Sequence, residues 1–119
     1  MYSVKGKVIV RGLGVNRGRS SGRVRIVMDA GDISKLKEGD ILVTEMTMPE
    51  WVPALKKASA LVTNLGGATS HAAIVSRELG IPAVVGCDQA TRLLEDGQIV
   101  TVDGSEGLVC EGAAMSKEK

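Results

Sequence analysis

Hydrophobic and polar positions alternate twice near the start of the chain. KGKVIVRG (residues 5–12) and GRVRIVM (residues 22–28) both read as strands. In the second, Val24, Ile26 and Met28 alternate with Arg23 and Arg25, so one face is buried and the other wet. GLGVNRGRSSG between them is rich in glycine and serine and is expected to be a loop. A turn at Gly39-Asp40 leads into a strand in GDILVTEM. Pro49 and Pro53 bracket a turn, and ALKKA after it predicts a short helix. SALVTN and AVVG are short apolar runs of the kind that fill buried strands.

Between those two runs lies the best-marked helix. Thr69 or Ser70 is its N-cap, and Ala72, Val75 and Leu79 make its apolar stripe. Gly80 closes it and Pro82 prevents its continuation. DQATRLLEDG predicts another helix, capped by Asp88 and ended by Gly97, and QIVTVDGSEGLVCE predicts a terminal hairpin. Strands lead and helices interleave later, which predicts a mixed α/β sandwich with one core. The expected unit is residues 1–112, with 113–119 a loose tail.

Composition narrows this picture. The chain has 119 residues, of which 44% are apolar, and Tyr2 and Trp51 are its only aromatics, so the core must be aliphatic. A net charge of +1, with both signs interspersed, points to neither a nucleic-acid nor a membrane partner. The basic residues between Arg11 and Arg25 lack an aromatic stacking platform and read as a solvated face. Cys87 and Cys110 are isolated and there is one histidine, so no metal site is expected. Two unpaired cysteines, no apolar leader and no spanning segment predict a cytoplasmic location. The five methionines, with Met46 and Met48 beside Pro49, read as gap-filling core. Trp51 is read as covering the core, with a docking role as the alternative. Cys87 is expected to be inert, Glu78 to be a solvated surface residue, and Asp103 to form a turn.

The one histidine stands where the best helix begins. A helix N-terminus offers unpaired N–H groups and the positive end of the macrodipole, and both favour an anion. Gly66 and Gly67 let backbone approach a ligand, and Thr69 and Ser70 add hydroxyls, so residues 66–71 read as a phosphate cradle rimmed by an imidazole. The same field opposes a cationic ring by about 0.3–1 kcal/mol, and a neutral imidazole is a nucleophile. On residue types and spacing alone three readings stand. His71 is a packed structural residue, a nucleophile that stores a phosphoryl group, or the edge of an anion loop with no covalent step.

GGATSHAAIVSRELGIPAVVG (residues 66–86) resembles the phosphohistidine signature of the phosphoenolpyruvate-utilising enzymes. These include phosphoenolpyruvate synthase (pyruvate, water dikinase), pyruvate, phosphate dikinase and enzyme I of the sugar phosphotransferase system. The likeness extends through GDILVTEMTMPEWVPALKKASALVTNLGG and GQIVTVDGSEG, and is nearest to the synthase branch. Residues 12–27 are similar to the family's entry segment, except that Asn16-Arg17 replaces a small residue and proline. The resemblance implies a swivelling β/β/α domain in which His71 is phosphorylated at Nε2, with Gly66, Gly67, Thr69 and Ser70 around the phosphoryl group. It implies ATP and Mg²⁺ on partner domains and none bound here. The partners would be an ATP-binding domain and a barrel that binds pyruvate or phosphoenolpyruvate, on the same or a separate chain. Glu45 and Thr47 fall in a segment that runs near the histidine in this family, and a hydrogen bond from there to the ring is expected. Arg77, two turns on, is assigned to a surface or interface. There is no Walker-type glycine loop in the chain, so on its own it is expected to turn over no substrate. The alternative is a non-catalytic phosphate-binding or regulatory module of the same fold.

Overall fold

The computed structural model describes residues 6–113, so the proposed 113–119 tail lies almost wholly outside the described residues. Eight strands occur among them: β1 (Val8–Arg11), β2 (Leu13–Asn16), β3 (Arg19–Val27), β4 (Ile41–Thr44), β5 (Ala60–Thr63), β6 (Ala83–Val85), β7 (Ile99–Asp103) and β8 (Leu108–Glu111). Their order is β1-β8-β7-β3-β4-β5-β6-β2. β3, β4, β5 and β6 pair in parallel, and the remaining joins are antiparallel. The two edges of that order, β1 and β2, are separated in sequence by Gly12 alone. The ribbon therefore has to fold back until its edges meet.

Two strands make the corners. β3 pairs with β7 through Arg19–Arg23 and with β4 through Val24–Val27. The β1–β2 strand bends at Gly12, whose N–H donates to Gly107 O at 2.9 Å. Each half thus belongs to a different layer.

Residues 12–22, expected as a loop, are mostly strand, and this is a correction. Three of their glycines, Gly12, Gly14 and Gly22, are points of close approach. A side chain at Gly14 would strike the Gly104 carbonyl oxygen, and one at Gly104 would strike that of Asn16. The turn that remains is at Gly18, with φ +107°.

Period-two alternation assigns the faces. Val24, Ile41, Val43, Ala60, Val62, Val84, Val100 and Val102 fill the space between the two strand layers. Leu42, Leu61, Ala83 and Val85 point the other way, against α2 (His71–Leu79). The architecture is β/β/α, as anticipated. Fully buried valines and leucines contribute about 1.5–3 kcal/mol each, so an almost aromatic-free core suffices. Trp51 is buried against Leu36 and Leu55, which gives it the core-covering role. No helix among the described residues is long and apolar enough to cross a membrane.

Helix α2 follows its sequence signals closely. Ser70 is the cap, its Oγ accepting from Ala73 N at 3.3 Å, and Gly80 ends the helix at φ +72°. The other helices differ from expectation. The one placed at residues 54–58 starts earlier, as a 3-10 turn (Pro49–Trp51) running into α1 (Val52–Leu55), with a proline in each first turn. A 3-10 helix at Ala30–Lys35 was not foreseen. In the segment from Asp88 to Gly97 only α3 (Ala90–Leu93) is helical. Asp88 cannot cap it, because its backbone is left-handed at φ +70° and its N–H donates to Asn64 O. Leu94 leaves the helix to reach the core between the layers.

The departure at Asn16 has a structural role. Its Nδ2 donates to Ser76 O at 3.0 Å and Ile81 O at 2.8 Å, closing the C-terminal end of α2 from the edge strand. Ser76 O also accepts from the N–H groups of Gly80 and Ile81, so Asn16→Ala leaves chiefly Ile81 O unpaired and should cost about 1–3 kcal/mol. Urea denaturation followed by the fluorescence of Trp51, the only tryptophan, measures it. A change within about 0.5 kcal/mol would assign the capping of α2 to Gly80 alone.

Candidate functional site

β4, β5 and β6, three of the four parallel strands, end on the same side, and the loops that leave them meet there. Open α/β sheets place ligand crevices at this end. β4 and β5 leave the sheet at equivalent threonines. Thr44 and Thr63 are paired in register; the Thr63 hydroxyl folds back onto its own exit, whereas that of Thr44 bonds to β3 and makes only a long contact with its own. Thr44 Oγ1 donates to Val27 O at 2.5 Å and approaches Met46 O at 3.4 Å, while Thr63 Oγ1 donates to Leu65 O at 2.6 Å. Residues 45–48 and 64–70 are thereby brought side by side, with Leu65 N donating to Glu45 O at 3.0 Å.

His71 is the first residue of α2, so its ring stands at the open helix end. Its Nδ1 lies 2.7 Å from Oγ1 of the buried Thr47. This is the contact expected from the 45–47 segment, and Thr47 rather than Glu45 makes it. A pocket of ≈ 180 Å³ opens beside the ring, lined by Met46, Thr47, Leu65, Gly66, Ser70, His71 and Ala72. Gly66 has φ +115°, and a side chain on it would meet Ser70 Oγ. The tight loop over the helix start therefore requires glycine.

Of the residues assigned to the cradle, Gly66 and Ser70 line this pocket with His71. Gly67 lies further along the loop, and its carbonyl accepts from Ser70 Oγ at 2.9 Å and from Ser70 N at 3.1 Å. The Thr69 side chain is exposed. Met46, read from sequence as core, is 51% exposed at the pocket rim, because the path of the chain after β4 carries it off the sheet; Leu65 matches it at 50%. Met48 does pack against the core, whereas Met28 is exposed.

Glu45 accepts from Asn64 Nδ2 at 2.8 Å. Asn64 was not singled out from sequence; a polar residue closing the apolar run SALVTN was the available signal. Arg77 is far from the ring and donates from Nε to Val15 O at 2.9 Å. Asp103 forms the turn assigned to it, accepting from the N–H groups of Ser105 and Glu106, and also pairs with Arg19 at 2.9 Å. Burial pushes the Cys87 thiol up to about 12, which leaves it unreactive. No lysine, arginine, aspartate or glutamate lines the pocket. Among the described residues no three histidine, cysteine or carboxylate side chains are grouped to hold a metal. The pocket thus offers an imidazole and two hydroxyls on a mainly apolar lining, with no charged side chain.

Comparison with known proteins identifies the family. Residues 36–107 match the family model described as PEP-utilising enzyme, mobile domain. The chain is 56% identical over 115 residues to a probable phosphoenolpyruvate synthase of Archaeoglobus fulgidus, covering 97% of this chain and 15% of that protein. It is 58% identical over 113 residues to the phosphoenolpyruvate synthase of Pyrococcus furiosus, covering 95% and 14% respectively. Among solved structures it is similar to an enzyme I protein determined in solution, with a TM-score of 0.59 and 36% identity over 67% of this chain and 33% of that one. The chain thus spans about one-seventh of the length of the synthases it matches. With the signature helix, the β/β/α layers and these relatives in agreement, the chain belongs to the mobile-domain family of the phosphoenolpyruvate-utilising enzymes.

Proposed function

We propose that the chain is the phosphohistidine carrier of a phosphoenolpyruvate synthase-like phosphotransferase, with His71 as the residue that holds the phosphoryl group in transit. The observation that supports it best is the 2.7 Å contact between Thr47 Oγ1 and His71 Nδ1. When Nδ1 carries the proton and the Thr47 hydroxyl accepts it, the lone pair is on Nε2. A hydroxyl is a suitable partner because it both accepts and donates. It can hold the Nδ1 proton while Nε2 attacks, and can turn to donate if the ring later gives that proton up.

In the first half-reaction Nε2 forms a bond to phosphorus as the donor's P–O bond breaks, and the electron pair departs with the leaving oxygen. In the second, an acceptor oxygen attacks phosphorus and the Nε2–P electron pair returns to the ring. Gly66, Gly67, Thr69 and Ser70 are proposed to surround the phosphoryl group, with the open helix end favouring its charge. The donor side would be an ATP-binding domain and the acceptor side a barrel binding pyruvate. ATP and Mg²⁺ belong on those domains, since the pocket here lacks groups to hold them. A cytoplasmic setting suits the two buried free thiols.

The test is the position of the adduct. After transfer from the partner domains, mass spectrometry and ³¹P NMR should place the label on Nε2 of His71. A label on Nδ1 would contradict the role given to Thr47, and one on Ser70 would remove the histidine from the mechanism.

A further inference from the structure

The segment that carries Thr47 is held by a residue that touches neither the ring nor the pocket. Asn64 follows β5 and is 6% exposed. Its amide is fully engaged: Nδ2 donates to Glu45 Oε1 at 2.8 Å and to Thr91 Oγ1 at 2.8 Å, and Oδ1 accepts from Thr91 N at 3.2 Å. Its backbone N–H donates to Thr44 O, and its carbonyl accepts from Asp88 N. One side chain and its peptide groups thus tie together the exits of β4 and β5 and the segment that follows β6.

We propose that Asn64 is a positioning residue: acting through Glu45, it fixes the segment from Glu45 to Met48 so that Thr47 Oγ1 meets His71 Nδ1. The clamp thereby keeps Nδ1 engaged and leaves Nε2 as the nitrogen for phosphoryl transfer. Its purpose rests on the carrier reading, whereas its geometry does not. Thr47 stands two residues beyond Glu45 on an exit that leaves the sheet after Thr44. A hydroxyl–imidazole bond weakens steeply once the atoms part by more than a few tenths of an ångström or lose alignment. Small drifts of this segment therefore matter at the ring. An amide is also the side chain that the site demands. Aspartate at 64 would have no hydrogen to give to Glu45 or Thr91 and would face the Glu45 carboxylate, while an apolar residue would leave both unpaired.

His71 is the only histidine, so its two ring nitrogens are the only imidazole signals in a ¹⁵N spectrum. The wild-type chain should show mainly the tautomer with the proton on Nδ1. In Asn64→Asp and Asn64→Ala the two tautomers should mix, moving both ring resonances toward each other. Phosphoryl acceptance from the partner domains should slow about tenfold, since small misplacements of a reacting group are costly. Glu45→Ala removes the clamp from an exposed position and should do the same even where the Asn64 variants fail to fold. Glu45→Gln keeps Oε1 and should restore what Glu45→Ala loses. Unchanged ring shifts in a folded Glu45→Ala chain would overturn the proposal, whatever the stability of the Asn64 variants. Were the wild-type chain to accept no phosphoryl group at all, the carrier reading would fall, and the ring shifts would still decide this one.

Discussion

His71→Ala should abolish phosphoryl acceptance and leave the domain folded. The chain has no second imidazole to take over. The other nucleophiles at the site are hydroxyls. Ser70 Oγ already donates to Gly67 O and accepts from Ala73 N as the cap of α2. Thr47 Oγ1 is engaged with the ring itself. Neither has a neighbouring base to activate it once the imidazole is gone. The loss should therefore be complete within detection rather than graded.

The stability cost should be modest but not zero. His71 makes no contribution to the apolar clusters, but removing it leaves the buried Thr47 hydroxyl without its partner. Such an orphan costs about 1–3 kcal/mol. That is small against the ~5–15 kcal/mol of an ordinary domain. Label transfer and thermal melting on the same preparation measure both effects. Retained labelling would eliminate His71 as the carrier. Labelling absent from wild type and mutant alike, with phosphate still bound by both, would instead favour the non-catalytic anion module.

Much of this site is legible along the chain, because its parts are local. The cap at Ser70, the stripe on α2 and the left-handed stop at Gly80 all lie within eleven residues, and each carries its own residue-type signature. The mixed α/β sandwich is also legible, since the alternation in β3 and the apolar runs of β4, β5 and β6 reflect half-buried and fully buried strands, whereas the β/β/α layering followed only from the family resemblance. What the chain hides are contacts made across it. Gly14 and Gly104 are ninety positions apart and look like loop residues until their backbones are seen to meet. Asn16 caps a helix that ends more than sixty residues later. Asn64 acquires its meaning only from Glu45 and Thr91. Met46 fits a core composition, and only the path of the chain after β4, held against residues 64–65, places it at the pocket rim. Residue type reports local backbone needs well, and it reports little about partners brought together by a sheet that closes on itself.

The chain by itself should accept no label from ATP or from phosphoenolpyruvate. Phosphoryl transfer depends on cationic groups and metal ions that neutralise the transferring oxygens, and a single arginine supplied in trans is worth roughly 10³–10⁵ in rate. The pocket beside His71 contains none: its lining is methionine, leucine, glycine, alanine and three hydroxyl or imidazole groups. Arg77 commits its Nε to Val15 O, away from the ring. What the domain does present around the histidine is exposed apolar surface, with Met46 and Leu65 at the rim and Ile74, 47% exposed, on the next turn of α2. Such a collar is suited to being covered by a second surface that brings the cations and shuts out water.

The experiment incubates the purified chain with each donor. It is then repeated with the Pyrococcus furiosus synthase from which the corresponding segment has been removed. Label should appear only in the second case, on His71, and should be lost in acid and survive in base, as a phosphoramidate is and a phosphoserine is not. Rapid labelling without the partner would mean that the pocket stabilises the transferring charge by itself. The apolar lining and the absence of cations would then have been misjudged as the reason for partner dependence.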